Sequence, residues 1–283
     1  MDDALAESFE ANRSHLRSVA YRMLGSLADA DDAVQESWLR LSRVDTGEVR
    51  NLGAWLTTVV GRVCLDVLRS RRVHPEEPLL PDPVVTLPSS DEPEDQALLA
   101  DSVGLALLVV LESLGPAERL AFVLHDMFAL SFEEIAPIVG RSVQATRQLA
   151  SRARRRVREG AVPQTDPRRQ RAVADAFLVA AHSGDLSGLL AILDPMVVLR
   201  ADSGTVRIVR GAREVAGGAL LFSRIIRNVV AVPVTVNGSA GFLSVVDGRV
   251  RAVMGFTVVD GLIVEIDILT DRKRLATLDL PPV

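Results

Sequence analysis

The chain holds one cysteine, Cys64, one tyrosine, Tyr21, and one lysine, Lys273. One cysteine excludes an intrachain disulfide, and with only four dispersed histidines there is no zinc-binding constellation. The lone tyrosine lies near the N-terminus, so the C-terminal part cannot build a tyrosine-based oxyanion hole. Long apolar runs are also missing. The longest uncharged stretch, 228–246, is broken by Pro233 and the Asn237-Gly238 pair and reads as two strands, not a membrane span. The N-terminus opens on acids and shows no signal-peptide core. The expectation is a soluble, cytoplasmic protein with no membrane partner. Lysine scarcity leaves arginine as the basic residue, which a GC-rich genome can impose by itself. A net charge of −5 rules out a uniformly basic nucleic-acid coat, so any DNA binding must come from local patches.

At 283 residues and 48% hydrophobic content, the chain is long enough for two or three domains with real cores. The most informative stretch is 131–158. Ser131 with Glu134 three residues on forms a capping box, and Ile135, Ala136 and Val139 give a helical apolar stripe. Gly140 can end that helix in a left-handed conformation, and Ser142 can cap the next. The second helix has two faces. Thr146, Leu149, Ala150, Ala153 and Val157 suit packing on the first helix. Gln144, Arg147, Gln148, Ser151 and Arg155 share a face about a third of a turn away. Residues 141–158 carry seven arginines and no acid. Side chains that reach base edges, flanked by cations for phosphates, are what a helix entering a major groove needs. The stretch reads as a helix-turn-helix whose second helix reads DNA. A solvated basic helix is the alternative, because charge runs usually mean only that.

Upstream, 4–24 is expected to be a helix with Phe9, Leu16, Val19, Ala20 and Met23 inward, stopped at Gly25 and Ser26. Asp29 opens a second, with Ala30, Ala33, Val34, Trp38 and Leu41 inward, and a third spans 52–70. Residues 75–101 then bring six prolines and eight acids with no basic residue, an extended acidic linker. Its length, acids and prolines imply that the two helical pieces cannot fix each other's position alone. Apolar helices follow over 96–113 and 115–128, and Pro163 and Pro167 mark a second break. From 168 onward two helices, two strands around Asp202-Ser203-Gly204, a helix over 211–226 and four β-rich runs are expected. Asn237-Gly238, Asp247-Gly248 and Asp260-Gly261 separate those runs and signal hairpins. Helices followed by a meander give an α+β domain with a curved antiparallel sheet.

Taken together, Tyr21 to Arg40 and Ala54 to Arg69 resemble region 2 of extracytoplasmic-function sigma factors. Leu114 to Arg119 and Leu130 to Ala136 resemble region 4. The C-terminal part is similar to the SnoaL-like cone found on one subgroup. That subgroup's glycine-rich Asp motif is reduced here to Asp202-Ser203-Gly204, and its C-terminal signature is echoed by Thr270 to Leu275. The resemblance implies a multidomain protein, with region 2 at 1–73, an acidic Pro-rich linker at 74–95 and a region 4 helix-turn-helix at 96–160. A short linker at 161–167 and a regulatory cone at 168–283 complete it.

The resemblance also implies roles. Asp29, Asp31, Asp32, Gln35, Glu36 and Arg40 would dock on core RNA polymerase. The loop 44–51 with Trp55, Arg62, Asp66, Arg69, Arg71 and Arg72 would hold the opened −10 strand. Gln144, Arg147, Gln148, Ser151, Arg152 and Arg155 would face the −35 element, with Arg147 and Gln148 on base edges. Arg152, Arg154, Arg155 and Arg156 would serve phosphate or solvent. Asp202, Ser203, Gly204, Arg272, Lys273 and Arg274 would be regulatory, and the cone would dock on the sigma domains. The implied function is promoter-specific initiation with core polymerase and promoter DNA as partners, without a cofactor. The alternatives are a sigma-like DNA-binding protein whose cone senses a small ligand or acts as an enzyme through Asp202, Asp267 and His182, and a plain repressor. A repressor has no use for a strand-opening module.

Overall fold

The computed structural model describes residues 3–43, 51–73, 80–88, 104–159, 166–225 and 228–283. The loop at 44–50 and the linker beyond residue 88, up to 103, lie outside them, as does the side chain of Arg72. The chain divides into two compact units. One comprises Met1–Glu76 and Leu108–Glu159, the other Glu77–Leu107 and Gly160–Val283.

The first unit is helical. In α1 (Asp3–Leu24) the stripe Phe9, Leu16, Val19, Ala20 and Met23 is buried as its spacing demands. Ser26, and not Asp29, opens α2 (Leu27–Leu41). Ser26 has extended backbone and its Oγ accepts the Asp29 N–H at 3.3 Å. Asp29 sits instead in the first turn, where the helix dipole favours its charge. Trp38 is half-buried against Phe9, with ring centroids 4.9 Å apart. Helix α3 (Leu52–Val73) completes a three-helix bundle and buries Leu56, Val59, Val60 and Val63.

The last carbonyls of α1 have no partner within their own helix. Two arginines supply one. Arg71 of α3 donates to the Leu24 carbonyl at 3.2 Å, and Arg119 donates to the Met23 carbonyl at 2.6 Å. Arg119 also holds the Leu111 carbonyl at 2.7 Å. Burial lowers its pKa to about 10, so it stays charged at neutral pH.

The rest of the unit runs through α4 (Leu105–Glu112, of which the first three residues belong to the second unit), α5 (Pro116–Phe122), a π turn (Val123–Met127), α6 (Phe132–Val139) and α7 (Val143–Glu159). A Cβ built on Gly61 of α3 would lie 3.4 Å from Leu120, 3.5 Å from Leu124 and 3.7 Å from Ile138. Helix α3 of the first helical piece therefore touches α5, the π turn and α6 of the second directly. The expectation that a long linker leaves the two pieces unable to position each other is overturned, because apolar contact at Gly61 and buried Arg119 do that work.

The second unit is α+β. Asp166 caps α8 (Pro167–Ser183), which Gly184 ends at φ +77°, and Asp185 caps α9 (Leu186–Ile192). Strands β2 (Leu193–Asp202) and β3 (Val206–Arg210), helix α10 (Ala212–Ile225), strands β4 (Val230–Val236), β5 (Ser239–Val246), β6 (Arg249–Val259) and β7 (Leu262–Leu269), and α11 (Arg272–Leu275) follow. At each expected hairpin both turn residues have positive φ, +48° and +76° at Asn237-Gly238 for example. That is the type I′ geometry matching the twist of the strands.

Among the described residues the sheet has seven strands in the order β1-β4-β5-β6-β7-β2-β3, β1 being Val85–Thr86 of the linker. Every pairing is antiparallel except β2 with β7, which is parallel. Register shifts in β2/β7, β5/β6 and β6/β7 mark irregularities of the kind that bend strands. Phe177 of α8 packs edge-on to Phe256, which meets Phe242, at the centre of a core shared by α8, α9, α10 and the sheet.

Candidate nucleic-acid interface

The caps around α6 and α7 form as the sequence requires. Ser131 Oγ accepts the Glu134 N–H while Glu134 accepts the Ser131 N–H at 2.8 Å. The Ser131 hydroxyl, which donates to the Glu134 carboxylate at 2.7 Å, and then the Ser131 N–H hold that carboxyl below its usual range. Gly140 sits at φ +71°, and Ser142 Oγ accepts the Ala145 N–H at 3.2 Å. This fixes the angle at which α7 leaves the turn. Thr146, Ala150 and Ala153 are buried against the preceding helices, with Leu149 and Val157 half-buried. Gln144, Arg147, Gln148, Ser151, Arg152 and Arg155 are all exposed.

The arginines of α7 divide into two sets. Arg152 and Arg156 pair with Glu118 at 3.1 and 3.4 Å, and Arg154 pairs with Asp126 at 2.6 Å. Arg152, Arg154 and Arg156, all expected to serve phosphate or solvent, tie α7 to α5 and the π turn through these pairs, and Arg152 and Arg156 remain exposed. Arg155 is exposed and lines an open cleft with Ser151, Arg152 and Arg158. Arg147 donates to Glu133 at 3.0 Å and lies over the Phe132 ring at 5.6 Å. Phe132 in turn stacks on His125, centroids 3.8 Å apart.

On α3, Arg62, Asp66 and Arg69 are exposed together, with Arg69 and Asp66 3.8 Å apart, and Trp55 is half-buried. Arg71 does not join them. It turns inward to the Leu24 carbonyl and to Asp29, because the open end of α1 and a first-turn carboxylate draw it there. Asp29 is thereby engaged within the bundle. Asp31 is met by Arg17 at 2.6 Å, and Glu36 by Arg40 at 2.9 Å. Asp32 and Gln35 are exposed, and so is Leu39, at 42%. Leu39 was missed in the sequence. It stands four residues after Gln35 and seven after Asp32, outside the buried stripe, which was the available signal.

Of the residues expected to be regulatory, Asp202 and Arg274 come together around the linker. Asp202 is fully buried. Its carboxylate accepts the Leu80 N–H at 3.0 Å and the Gly204 N–H at 2.9 Å, and also pairs with Arg274. Arg274 donates to the Leu80 carbonyl and to Asp82, both at 2.6 Å. Asn237, read from the sequence only as a turn residue, exchanges two hydrogen bonds with Val84, at 2.9 and 3.0 Å. Val85 and Thr86 then add to β4 opposite Val236 and Thr235. Leu80, Pro81, Pro83 and Leu105 cover Val236, Val253, Gly255, Asp267 and Leu269, leaving room for about one water molecule. Ser203, Arg272 and Lys273 are exposed and take no part in that clasp. The expected trio of cations is thus one clasp residue and two surface residues.

The acid–base groups considered for an enzyme are not assembled. Arg200 holds Asp267 at 2.9 Å and Glu265 at 2.8 Å, Asp202 is held by Arg274, and His182 is exposed on α8. Burial outweighs Arg200 and raises the Asp267 pKa to about 6.

Two family models match the chain, Sigma-70 region 2 over residues 8–73 and Sigma-70, region 4 over residues 104–157. The chain is 36% identical over 281 residues to the probable ECF RNA polymerase sigma factor SigI of Mycobacterium tuberculosis, covering 98% of this chain and 96% of that protein. It is 45% identical over 217 residues to the ECF RNA polymerase sigma factor SigJ of the same organism, covering 73% and 69%. The crystal structure of that SigJ matches with a TM-score of 0.76 at 35% identity, covering 98% of this chain and 100% of that one.

Proposed function

The chain belongs to the extracytoplasmic-function (ECF) RNA polymerase sigma factors, and from that membership we propose how its surfaces divide the work. It binds core RNA polymerase and directs promoter-specific initiation, as a non-enzymatic regulator of transcription. It works where the polymerase is, in the cytoplasm, and no described helix is long and apolar enough to cross a membrane.

Helix α7 enters the major groove of the −35 element. The observation that carries this is its division into a buried packing face and an exposed face of Gln144, Arg147, Gln148, Ser151 and Arg155 behind a capped glycine turn. Arg147 and Gln148 take base edges, where a bidentate contact is worth about 1–3 kcal/mol of discrimination. Arg152 and Arg155 take phosphate. Arg62 and Arg69 line the path of the opened −10 strand, with Trp55 as its apolar wall. The exposed face of α2, Asp32, Gln35 and Leu39, meets the polymerase, where acid gives steering and an exposed leucine gives contact area. Asp202 and Arg274 restrain the linker until polymerase binds. A small ligand reaches the floor beneath Leu80 and Pro83 only by displacing the linker.

One length decides how the two readers act together. A compact unit of about 130 residues has a radius of gyration of ~14 Å, so it spans roughly 35–40 Å. The −10 and −35 elements lie about 25 steps apart, roughly 85 Å at ~3.4 Å per step. Region 2 and region 4 therefore part at the Gly61 contact, and Arg119 leaves the Met23 carbonyl, when both elements are read. The test is a footprint. Protein plus core polymerase should protect both elements of one promoter, and protein alone should not. Protection of both elements by protein alone would contradict this reading.

A further inference from the structure

The geometry points to Glu133 and Phe132 as positioning residues that set the specificity of Arg147 at the −35 element; this rests on the reading that α7 enters the major groove. The acids that pair with the arginines of α7 differ in where they stand. The Glu118 and Asp126 side chains are 17% and 24% exposed. Glu133, at 62%, stands in the open beside the reading face. It is not used by the cap of α6, which Ser131 and Glu134 complete between them.

An exposed carboxylate beside a DNA-facing helix repels phosphate and weakens binding to every sequence. As an exposed ion pair it adds little to the stability of the fold. Its effect falls on Arg147. A free arginine samples many rotamers and loses them when it binds a base. Here the guanidinium lies over Phe132, Phe132 stacks on His125, and His125 Nδ1 lies 2.8 Å from the Leu130 carbonyl. Glu133 takes Nη2 of Arg147 and leaves the other N–H groups free to face a base. Two parallel donors held at fixed height fit O6 and N7 of guanine. As the groove displaces water, the Glu133–Arg147 attraction strengthens and the held orientation persists in the complex.

The experiment uses full-length holoenzyme and measures affinity for one promoter, for each single-base variant across its −35 element, and for non-promoter DNA. Arg147→Ala comes first and should flatten the preference at one G·C pair. A sequence-blind loss would sink the reading of Arg147 itself, and this inference with it. Glu133→Gln and Phe132→Leu should each cut discrimination at that same pair several-fold, with unchanged thermal melting. Glu133→Gln should also raise affinity for non-promoter DNA. Glu133→Gln combined with Arg147→Ala should discriminate no worse than Arg147→Ala alone. If Arg147→Ala flattens the preference while Glu133→Gln keeps full discrimination, or if the two losses add, the positioning role is overturned and the reading of Arg147 stands.

Discussion

Arg155 and Arg71 are neighbours in kind but not in use. Arg155 is exposed on α7, and Arg71 is turned into its own bundle. A phosphate contact changes the slope of log affinity against log salt by about 0.9, whatever the sequence. Arg155→Ala should therefore weaken holoenzyme binding at 50 mM salt similarly for all promoter variants and flatten the slope by roughly that amount. An unchanged slope would remove Arg155 from the phosphate path. The sequence makes Arg155 legible because helical spacing alone puts it on the face opposite Ala150 and Ala153. It could not make Arg71 legible. The partner that draws Arg71 inward is a backbone carbonyl at the end of another helix, and carbonyls carry no sequence signature. Leu39 escaped for another reason: it lies outside the inward stripe of α2, and a residue without charge there carries no sign of a contact.

Elements were legible where local chemistry decides them. Capping boxes, glycine ends and paired positive-φ turn residues placed α6, α7 and the hairpins of the sheet. Two features depend on non-local pairing and left no local mark. One is the parallel alignment of β2 with β7. The other is the short strand β1, a linker segment recruited to β4 by Asn237 and held by Arg274. Pro81 and Pro83 announce an extended segment but not the surface it lies on. If the clasp holds β1 in place, Arg274→Ala should speed hydrogen exchange at Leu80 and Val84, whose amides it holds, by at least tenfold. Amides of β5 and β6 should keep their protection. Its transcription at limiting protein should rise several-fold, because the linker is released more readily. Unchanged exchange at 80–86 would show that strand pairing alone holds the linker, and unchanged transcription would remove the clasp from regulation.

At the scale of the molecule, sequence order and spatial grouping differ. Region 2 and region 4 are separated by a linker in the chain, yet they form one unit, while the described linker residues belong with the C-terminal α+β domain. Composition could reveal a break at 75 and another near 163, but not which pieces close on each other across them. The closing contact is small residues and branched apolar side chains at Gly61, with one buried arginine, a pattern indistinguishable in sequence from the core of either piece. The central claim is that this grouping serves a factor that gives core polymerase its promoter. Run-off transcription from genomic promoter fragments, with purified core polymerase and the full-length protein, tests it most directly. The account predicts discrete transcripts that need the protein, start at fixed positions and disappear when the −35 element is scrambled. Transcripts of the same pattern from core polymerase alone, or none from any fragment, would contradict it.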